Sequence, residues 1–222
     1  KAVEYFSKAI EADPNYARAY AWQACSTATV VQWEPGRYGE NWLDTCFDNV
    51  TRAMEIDPDD AEVHRILGAI RMFKREFDAS LFHHEKARDL CPSDPYIRFK
   101  YATVLIYTGD SEKALEEIKA GKRLDPFCPD YLLEDEGICY YWLNKFDESV
   151  QSFGKLQVPS RNSLFYLAAT YSKKGDTKEA KASLSEAVSV SNLTISDFIN
   201  TQHYKSESDS DSLRMVLENI AA

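Results

Sequence analysis

The feature that most constrains this chain is an internal repeat, because two adjacent stretches, residues 59–92 and 93–126, carry matching residues 34 positions apart. Small side chains recur at corresponding places, as Gly68 does against Ala102, and a proline is the last residue of each stretch. Two antiparallel helices approach closely only where a small side chain faces its neighbour, and proline cannot continue the second helix. Self-similarity at this period therefore predicts a solenoid of helix pairs.

The same pattern extends over most of the chain. Half a repeat, equivalent to a second helix alone, occupies residues 1–14. We predict full repeats at 15–58, 59–92, 93–126, 127–159 and 160–192, followed by C-terminal capping helices in 193–222. A cap of this kind is expected, since a terminal repeat needs a cover with a polar outer face.

The tail after residue 192 does not repeat, and its polar residues suggest two helix starts. Thr194 or Ser196 is predicted to cap a short helix. Ser208 and Asp211 stand at capping-box spacing ahead of a second helix predicted from Leu213 to Ile220.

The first full repeat, residues 15–58, is stretched to 44 residues. Its ten extra residues fall around residues 33–39, a turn-rich segment containing one proline and two glycines. Either the loop between the two helices is longer there, or the flanking helices overrun their usual ends. Insertions in solenoids project from one face and often contribute to binding, although a neutral loop is the alternative.

These markers resemble the tetratricopeptide repeat (TPR) family over about residues 1–192. The residues that carry the resemblance are Leu67, Gly68, Gly109, Ala114, Pro126, Ala168, Tyr171, Gly175, Ala180 and Ala187. The chain departs from the family at Arg71, where tyrosine is favoured, and at Arg75 and Asn144, where glycine is favoured. The resemblance implies an all-α fold, a right-handed α–α superhelix of helix-turn-helix repeats.

A narrower resemblance concerns residues 9–24, the long first full repeat (residues 15–58) and the tail, residues 194–222. Together they are similar to the C-terminal TPR region of bacterial class III adenylate cyclases and related signalling proteins. In those proteins the catalytic or DNA-binding domain precedes the array, so no catalytic residue carries over to this sequence. The resemblance implies a regulatory or sensory region of a larger protein.

The first helix of each repeat is expected to line the concave face, where TPR arrays bind their partners. The candidate partner-binding residues are Arg65, Met72, Tyr96, Phe99, Ile106, Tyr131, Glu134, Tyr141 and Phe165. Aromatic rings beside an arginine are frequent anchors of recognition surfaces, because they bury much area at low entropic cost. The alternative is that these rings pack between helices or against a tail that folds back onto them.

Composition excludes several classes of function. A net charge of −10 and a pI near 5.0 disfavour nucleic acid, whose phosphates an acidic surface repels. No run reaches the ~18 apolar residues of a membrane span, so we expect no direct membrane insertion. Five cysteines without a CxxC spacing predict reduced thiols and a cytoplasmic location.

The sequence contains no motif that predicts a catalytic, metal-binding or cofactor-binding site. His83 and His84 are neighbours, which point about 100° apart on a helix and so do not share a metal, and His84 occupies a helix-packing position. There is no glycine-rich phosphate loop and no Ser/His/Asp arrangement in a supporting context. We therefore expect no catalytic residue, no metal and no cofactor.

The half repeat at residues 1–14 presents an apolar stripe, Val3, Phe6 and Ile10, that a preceding helix would normally cover. This predicts a piece of a longer protein, and self-association through the uncovered stripe.

Three functions remain open at this point. The first is a protein–protein interaction scaffold that binds a protein or peptide within a bacterial signalling protein. The second is the C-terminal part of an adenylate cyclase converting ATP to cyclic AMP. The third is a sensor that binds a small peptide or metabolite in the concave groove.

Overall fold

The computed structural model describes residues 1–34, 36–127, 129 and 131–221. Their regular secondary structure consists of thirteen helices with no strand, which confirms the all-α class. The helices are α1 Ala2–Ala12, α2 Ala17–Trp33, α3 Trp42–Ile56, α4 Ala61–Phe73, α5 Phe77–Leu90, α6 Pro95–Tyr107, α7 Ser111–Leu124, α8 Tyr131–Trp142, α9 Phe146–Phe153, α10 Arg161–Lys174, α11 Thr177–Ser191, α12 Ile195–Asn200 and α13 Glu207–Ala221. No helix among the described residues is both long and apolar enough to cross a membrane.

The chain divides into two compact units, Lys1–Val104 and Leu105–Ala222, here called unit 1 and unit 2. Each full repeat predicted from the sequence contains a first helix (α2, α4, α6, α8 or α10) and a second helix that follows it. The division of the chain into a repeat array and a cap at the proposed boundaries stays a prediction.

In unit 1 each of the helices α1 to α5 packs against its neighbours within that series, and α2 also packs against α4. Helix α2 turns a row of alanines, including Ala21 and Ala24, towards this core. Such small side chains let α3 and α4 approach closely, and branched residues fill the remaining space. The branched core residues are Val50, Val63, Ile66, Leu67 and Ile70.

In unit 2 helix α10 lies at the centre, in contact with α8, α9, α11 and α13. Helix α13 also packs on α11 and α12, and buries Leu213, Leu217 and Ile220. Thr194 and Asp197 form a capping box at the start of α12, as the sequence allowed for Thr194.

The start of α13 corrects the sequence prediction. The helix begins at Glu207 rather than Leu213, so Ser208 and Asp211 lie inside its first turns and form no capping box there. Ser206 takes the capping position instead, where its Oγ accepts a hydrogen bond from the Asp209 amide at 3.3 Å. The prediction failed because several serines and acids in a row offer equivalent caps.

The two helices of a pair meet at a glycine in both units. Ser80 Oγ donates a hydrogen bond to the Gly68 carbonyl oxygen, and Ser149 Oγ donates one to the Gly137 carbonyl oxygen, each at 2.8 Å. A Cβ atom at Gly68 would lie 2.2 Å from Nδ1 of His84, so no larger residue fits without a shift. The recurring small residues of the sequence thus mark these helix crossings.

His84 is buried at this crossing, which confirms its predicted packing role. Its Nδ1 donates to the Ser80 carbonyl oxygen at 2.9 Å. Burial lowers the pKa of His84 to about 4, so the imidazole is neutral at neutral pH.

The turns inside the helix pairs share a left-handed residue. Gly109 and Gly175 have φ angles of 89° and 86°, in the region that glycine adopts without strain. Arg75 and Asn144 occupy the equivalent turns with φ angles of 60° and 57°. The two residues that replace glycine therefore keep the same backbone conformation in the turn, although a side chain makes a left-handed φ angle strained.

Both explanations of the long first repeat are correct. Helix α2 has 17 residues against 13 in α4, and the loop that follows, residues 34–41, is longer than the turns of the later pairs. Gly36 and Gly39 have positive φ angles in this loop, and Pro35 lies outside the described residues.

Cys25, Cys46, Cys91 and Cys139 are free thiols, consistent with the predicted reduced state. Cys128 lies outside the described residues. Burial raises the pKa of Cys46 to about 11, so this thiol is protonated and unreactive.

The apolar stripe of α1 packs on α2 in part. Val3, Phe6 and Ile10 are half-buried, and Gln23 Nε2 donates to Ser7 Oγ at 2.7 Å. Self-association through this helix stays a prediction.

We expect Gly68→Ala and His84→Ala to be strongly coupled. The added methyl group overlaps the imidazole in the wild-type chain, whereas once the ring is removed the closest atom that remains is the Ser80 carbonyl oxygen, at 3.1 Å. Urea unfolding of the four chains of this double-mutant cycle should give an interaction free energy of about 1–3 kcal/mol. Additive effects of the two changes would contradict the helix crossing described here.

Candidate functional site

The nine candidate partner-binding residues lie on the first helices α4, α6, α8 and α10, as the sequence predicted, but most of them are buried. The buried ones are Arg65, Met72, Phe99, Ile106, Tyr141 and Phe165, and the half-buried ones are Tyr96, Tyr131 and Glu134. Their partner-binding role stays a prediction. The arrangement differs between the two units, and in both it includes residues that the sequence prediction missed.

In unit 1 the site is built around the guanidinium of Arg65, on α4. Its Cζ lies 5.4 Å from the ring centroid of Trp22 on α2 and 4.9 Å from that of Tyr96 on α6. Its Nε donates to Glu62 Oε2 at 2.6 Å. We call Trp22, Cys25, Glu62, Arg65 and Tyr96 the Arg65 cluster.

The Arg65 cluster holds a positive charge away from water. The Arg65 side chain is only 2% exposed, and burial by itself would lower its pKa. The nearby Glu62 carboxylate, Cys25 and Tyr96 outweigh burial, so the pKa of Arg65 is raised and the charge is retained.

One donor of Arg65 has no hydrogen-bond partner in the part of the chain that the structure describes. The group is the buried NH₂ nitrogen at the Nη2 position, whereas Nε is satisfied by Glu62. A guanidinium is a donor only, so the missing partner has to be an oxygen or nitrogen acceptor. A buried donor left unsatisfied is unfavourable by about 1–3 kcal/mol, which an incoming acceptor would recover.

A cavity of about 370 Å³ adjoins the cluster at Trp22 and Cys25. Its other walls come from α1 and from the loop after α2, including Val3, Arg37 and Tyr38. The long loop of the first repeat therefore contributes to a surface beside the Arg65 cluster. This is the placement that insertions in solenoids often have.

Trp22 was missing from the sequence prediction, although a signal for it exists. It precedes Cys25 of the same cluster by three positions, and residues three apart are neighbours on one helix face. A tryptophan at that spacing belongs with the same face.

In unit 2 the first helices are covered by the chain's own tail. We call residues 198–205 the tail segment. The Phe198 ring stacks on Phe165 of α10, with centroids 4.1 Å apart and planes 12° apart. The Tyr204 hydroxyl accepts a hydrogen bond from Trp142 Nε1 at 2.9 Å and is hydrogen-bonded to the Tyr166 hydroxyl. The rings could be expected from the sequence either to bind a partner or to pack against a tail that folds back onto them. For Phe165 the second expectation holds.

Glu134 is engaged inside unit 2. It accepts hydrogen bonds from the Ser160 hydroxyl and from Asn162 Nδ2, the latter at 3.0 Å. Asn162 Oδ1 in turn accepts a hydrogen bond from Gln202 Nε2 of the tail segment at 3.2 Å. Burial raises the pKa of Glu134, with the two hydrogen bonds acting in the opposite direction.

Comparison with known proteins agrees with this arrangement of helices. Residues 162–192, which comprise most of α10 and all of α11, match the family model described as tetratricopeptide repeat. The crystal structure of YrrB, described as "a TPR protein with an unusual peptide-binding site", is similar to this chain, with a TM-score of 0.57 and 21% sequence identity. The match covers 86% of this chain and 94% of the YrrB chain. The chain has a tetratricopeptide-repeat fold.

Other solved structures are similar to this chain over more of its length. A chain in the crystal structure of the APC/C hetero-tetramer Cut9–Hcn1 matches with a TM-score of 0.75 and 17% identity; the match covers 99% of this chain and 39% of that chain. PilW, a type IV pilus biogenesis factor, has a TM-score of 0.69 at 13% identity, with 92% of this chain and 90% of that chain covered. No curated protein matches the chain in sequence.

We expect Arg65→Lys to lower the free energy of unfolding by about 1–3 kcal/mol, since an ammonium group cannot stack on both rings and bond Glu62 in the same geometry. The matched control is Arg52→Lys, whose exposed pair with Glu55 should change stability by less than about 0.5 kcal/mol. Urea unfolding measures both. Equal stability of Arg65→Lys and wild type would contradict the energetic role of the stacked guanidinium.

Proposed function

We propose that this chain is a protein-interaction module whose unit 1 binds a protein or peptide segment at the Arg65 cluster. The observation that carries the proposal is the buried, charged guanidinium between two aromatic rings, with one donor unused. Half-buried Trp22 and Tyr96 offer large apolar contact area beside that donor. Aromatic residues with an arginine are the side chains that most often dominate binding energy at interfaces.

The chemistry of the cluster favours an uncharged acceptor on the partner. The Glu62 carboxylate already pairs with Arg65, and the chain has a net charge of −10, so an acidic segment would be repelled. Because the donor is buried, a backbone carbonyl or a side-chain amide oxygen of the partner would reach it once a covering side chain shifts, and would satisfy it without adding negative charge. Flanking apolar side chains of the partner would cover the Trp22 and Tyr96 rings.

The structural similarity supports the class of function. YrrB is described as having a peptide-binding site, and the TPR fold is shared with it. The finer role stays a proposal: a regulatory or sensory part of a larger bacterial signalling protein in the cytoplasm. The cyclase alternative rests on the narrower sequence resemblance alone and has no support from these similarities.

One observation favours the sensor alternative as a second candidate. The cavity beside Trp22 measures about 370 Å³, within the range of small-molecule pockets, and mixes apolar walls with Arg37 and Tyr38. A small peptide or metabolite bound there would contact the same tryptophan as a protein partner at the Arg65 cluster.

The proposal is tested by selecting short random-sequence peptides for binding to the wild-type chain. We expect selected peptides to lose about tenfold or more in affinity with Tyr96→Ala or Trp22→Ala, because each change removes an anchor ring. Fluorescence anisotropy of labelled peptides measures the affinities.

The matched control is Phe82→Ala on α5, which removes a ring that is 61% exposed but lies outside the Arg65 cluster. Binding should be unchanged in this variant. Peptides whose affinity is unchanged by Tyr96→Ala and Trp22→Ala, or is lowered by Phe82→Ala, would contradict the proposed site.

A further inference from the structure

The tail segment lies on the first helices of unit 2 in the way a bound peptide lies on its receptor. Its contacts come from eight consecutive residues, 198–205, whereas the surface that receives them is assembled from α8, α10 and the end of α6. Three of the eight side chains, Phe198, Ile199 and Tyr204, are almost completely buried, and Gln202 is also buried. Between them, Asn200 and Thr201 remain exposed.

Phe198 is the first anchor of the tail segment. Besides its stacking on Phe165, it meets Tyr166 in an edge-on arrangement, with ring centroids 6.1 Å apart and planes at 80°. Both receiving residues belong to α10 and are themselves buried. Aromatic pairs in these geometries contribute about 0.5–1.5 kcal/mol beyond their buried area.

Tyr204 is the second anchor, six residues further on. Its ring packs against Tyr107 and Trp142, with centroids 5.1 Å and 5.2 Å away. Its hydroxyl is fixed by the Trp142 indole and by Tyr166. Burial raises its pKa well above the ordinary value, so the hydroxyl stays protonated and can serve both bonds.

Polar contacts set the register of the tail segment between and after the anchors. Gln202 reaches Asn162, which is held by Glu134. The Lys205 amide donates to the Tyr107 carbonyl oxygen at 2.8 Å. Two ring anchors with an amide and a main-chain bond are the elements by which proteins recognise extended segments.

The tail segment is attached in a way that allows it to leave. Helix α12 has only six residues, too few for a helix to be stable in isolation. Helix α13 packs on α12, but it also contacts α10 and α11, so part of its packing does not come from the tail segment. Local opening of short elements between better-packed ones is the common form of partial unfolding.

We propose that this face of unit 2 is a second recognition site, for a partner segment that presents Phe and Tyr six residues apart with an amide side chain between them. The tail segment is its internal ligand and occupies the site until such a partner displaces it. The inference is independent of the Arg65 cluster, which lies in unit 1. A permanent structural cap and exchange of tails between two copies of the chain are the competing explanations.

The test uses the full chain in three forms and one labelled peptide, residues 194–206 (TISDFINTQHYKS). The forms are wild type, Tyr204→Phe, and the double variant Phe198→Ala with Tyr204→Ala. In wild type the attached segment competes at high effective concentration, so the peptide should bind weakly. It should bind the double variant at least about tenfold more tightly.

Tyr204→Phe keeps the ring and the fold, and therefore decides the question if the double variant unfolds. Loss of the hydroxyl leaves the Trp142 indole and the Tyr166 hydroxyl without this partner, which weakens the internal ligand. Peptide affinity should lie between those of the other two forms. Met215→Ala, at a side chain of α13 that is 62% exposed, should bind as wild type does.

A peptide with both aromatic residues replaced by alanine is the specificity control and should bind no form of the chain. Equal binding of the two peptides would overturn the proposal, as would absence of any affinity gain in both Tyr204→Phe and the double variant. Dimers of the wild-type chain that form by tail exchange, detected by sedimentation at rising concentration, would overturn it in favour of exchange.

Discussion

The structure depends on how closely the two helices of a pair approach each other. At Gly68 the helices meet with no room for a methyl group, and the Ser80 hydroxyl bonds the glycine carbonyl across the gap. Gly137 and Ser149 repeat this bond in unit 2. A tight crossing fixes which face of the first helix turns outward from the pair, and therefore which side chains are available to line a recognition surface.

Most of the fold could be predicted because these crossings leave a mark in the sequence. Small residues and closing prolines recur at a fixed interval, and they specify helix pairs with little dependence on the residues between them. Arg75 and Asn144 broke the pattern without changing the turn, since a left-handed φ is strained but accessible to both. The start of α13 was misplaced because a run of serines and acids offers several equivalent caps.

The candidate site was predicted less completely. The pattern placed the candidate residues on first helices, where the structure has them, and it selected Arg65 and Tyr96, which come together in unit 1. It left open whether the tail covers the face of unit 2, because nothing periodic marks a segment such as 198–205 as a ligand for helices earlier in the chain. Contacts between distant, unrepeated residues depend on three-dimensional shape and become visible only in the structure. Both faces are formed by first helices of repeats. The face in unit 1 has an unused hydrogen-bond donor, whereas the face in unit 2 is occupied by the tail segment.

Hydrogen exchange of the full wild-type chain, followed by mass spectrometry, tests most directly whether the first-helix face of unit 2 holds the tail segment. The Lys205 amide is bonded to Tyr107 and the flanking rings are buried, so residues 198–205 should exchange much more slowly than the exposed loop at residues 36–40. Tyr204→Phe should accelerate exchange in this segment and leave the Gly68 crossing unchanged. Exchange at 198–205 as fast as in the loop would show that the segment does not occupy the face, and would contradict this account.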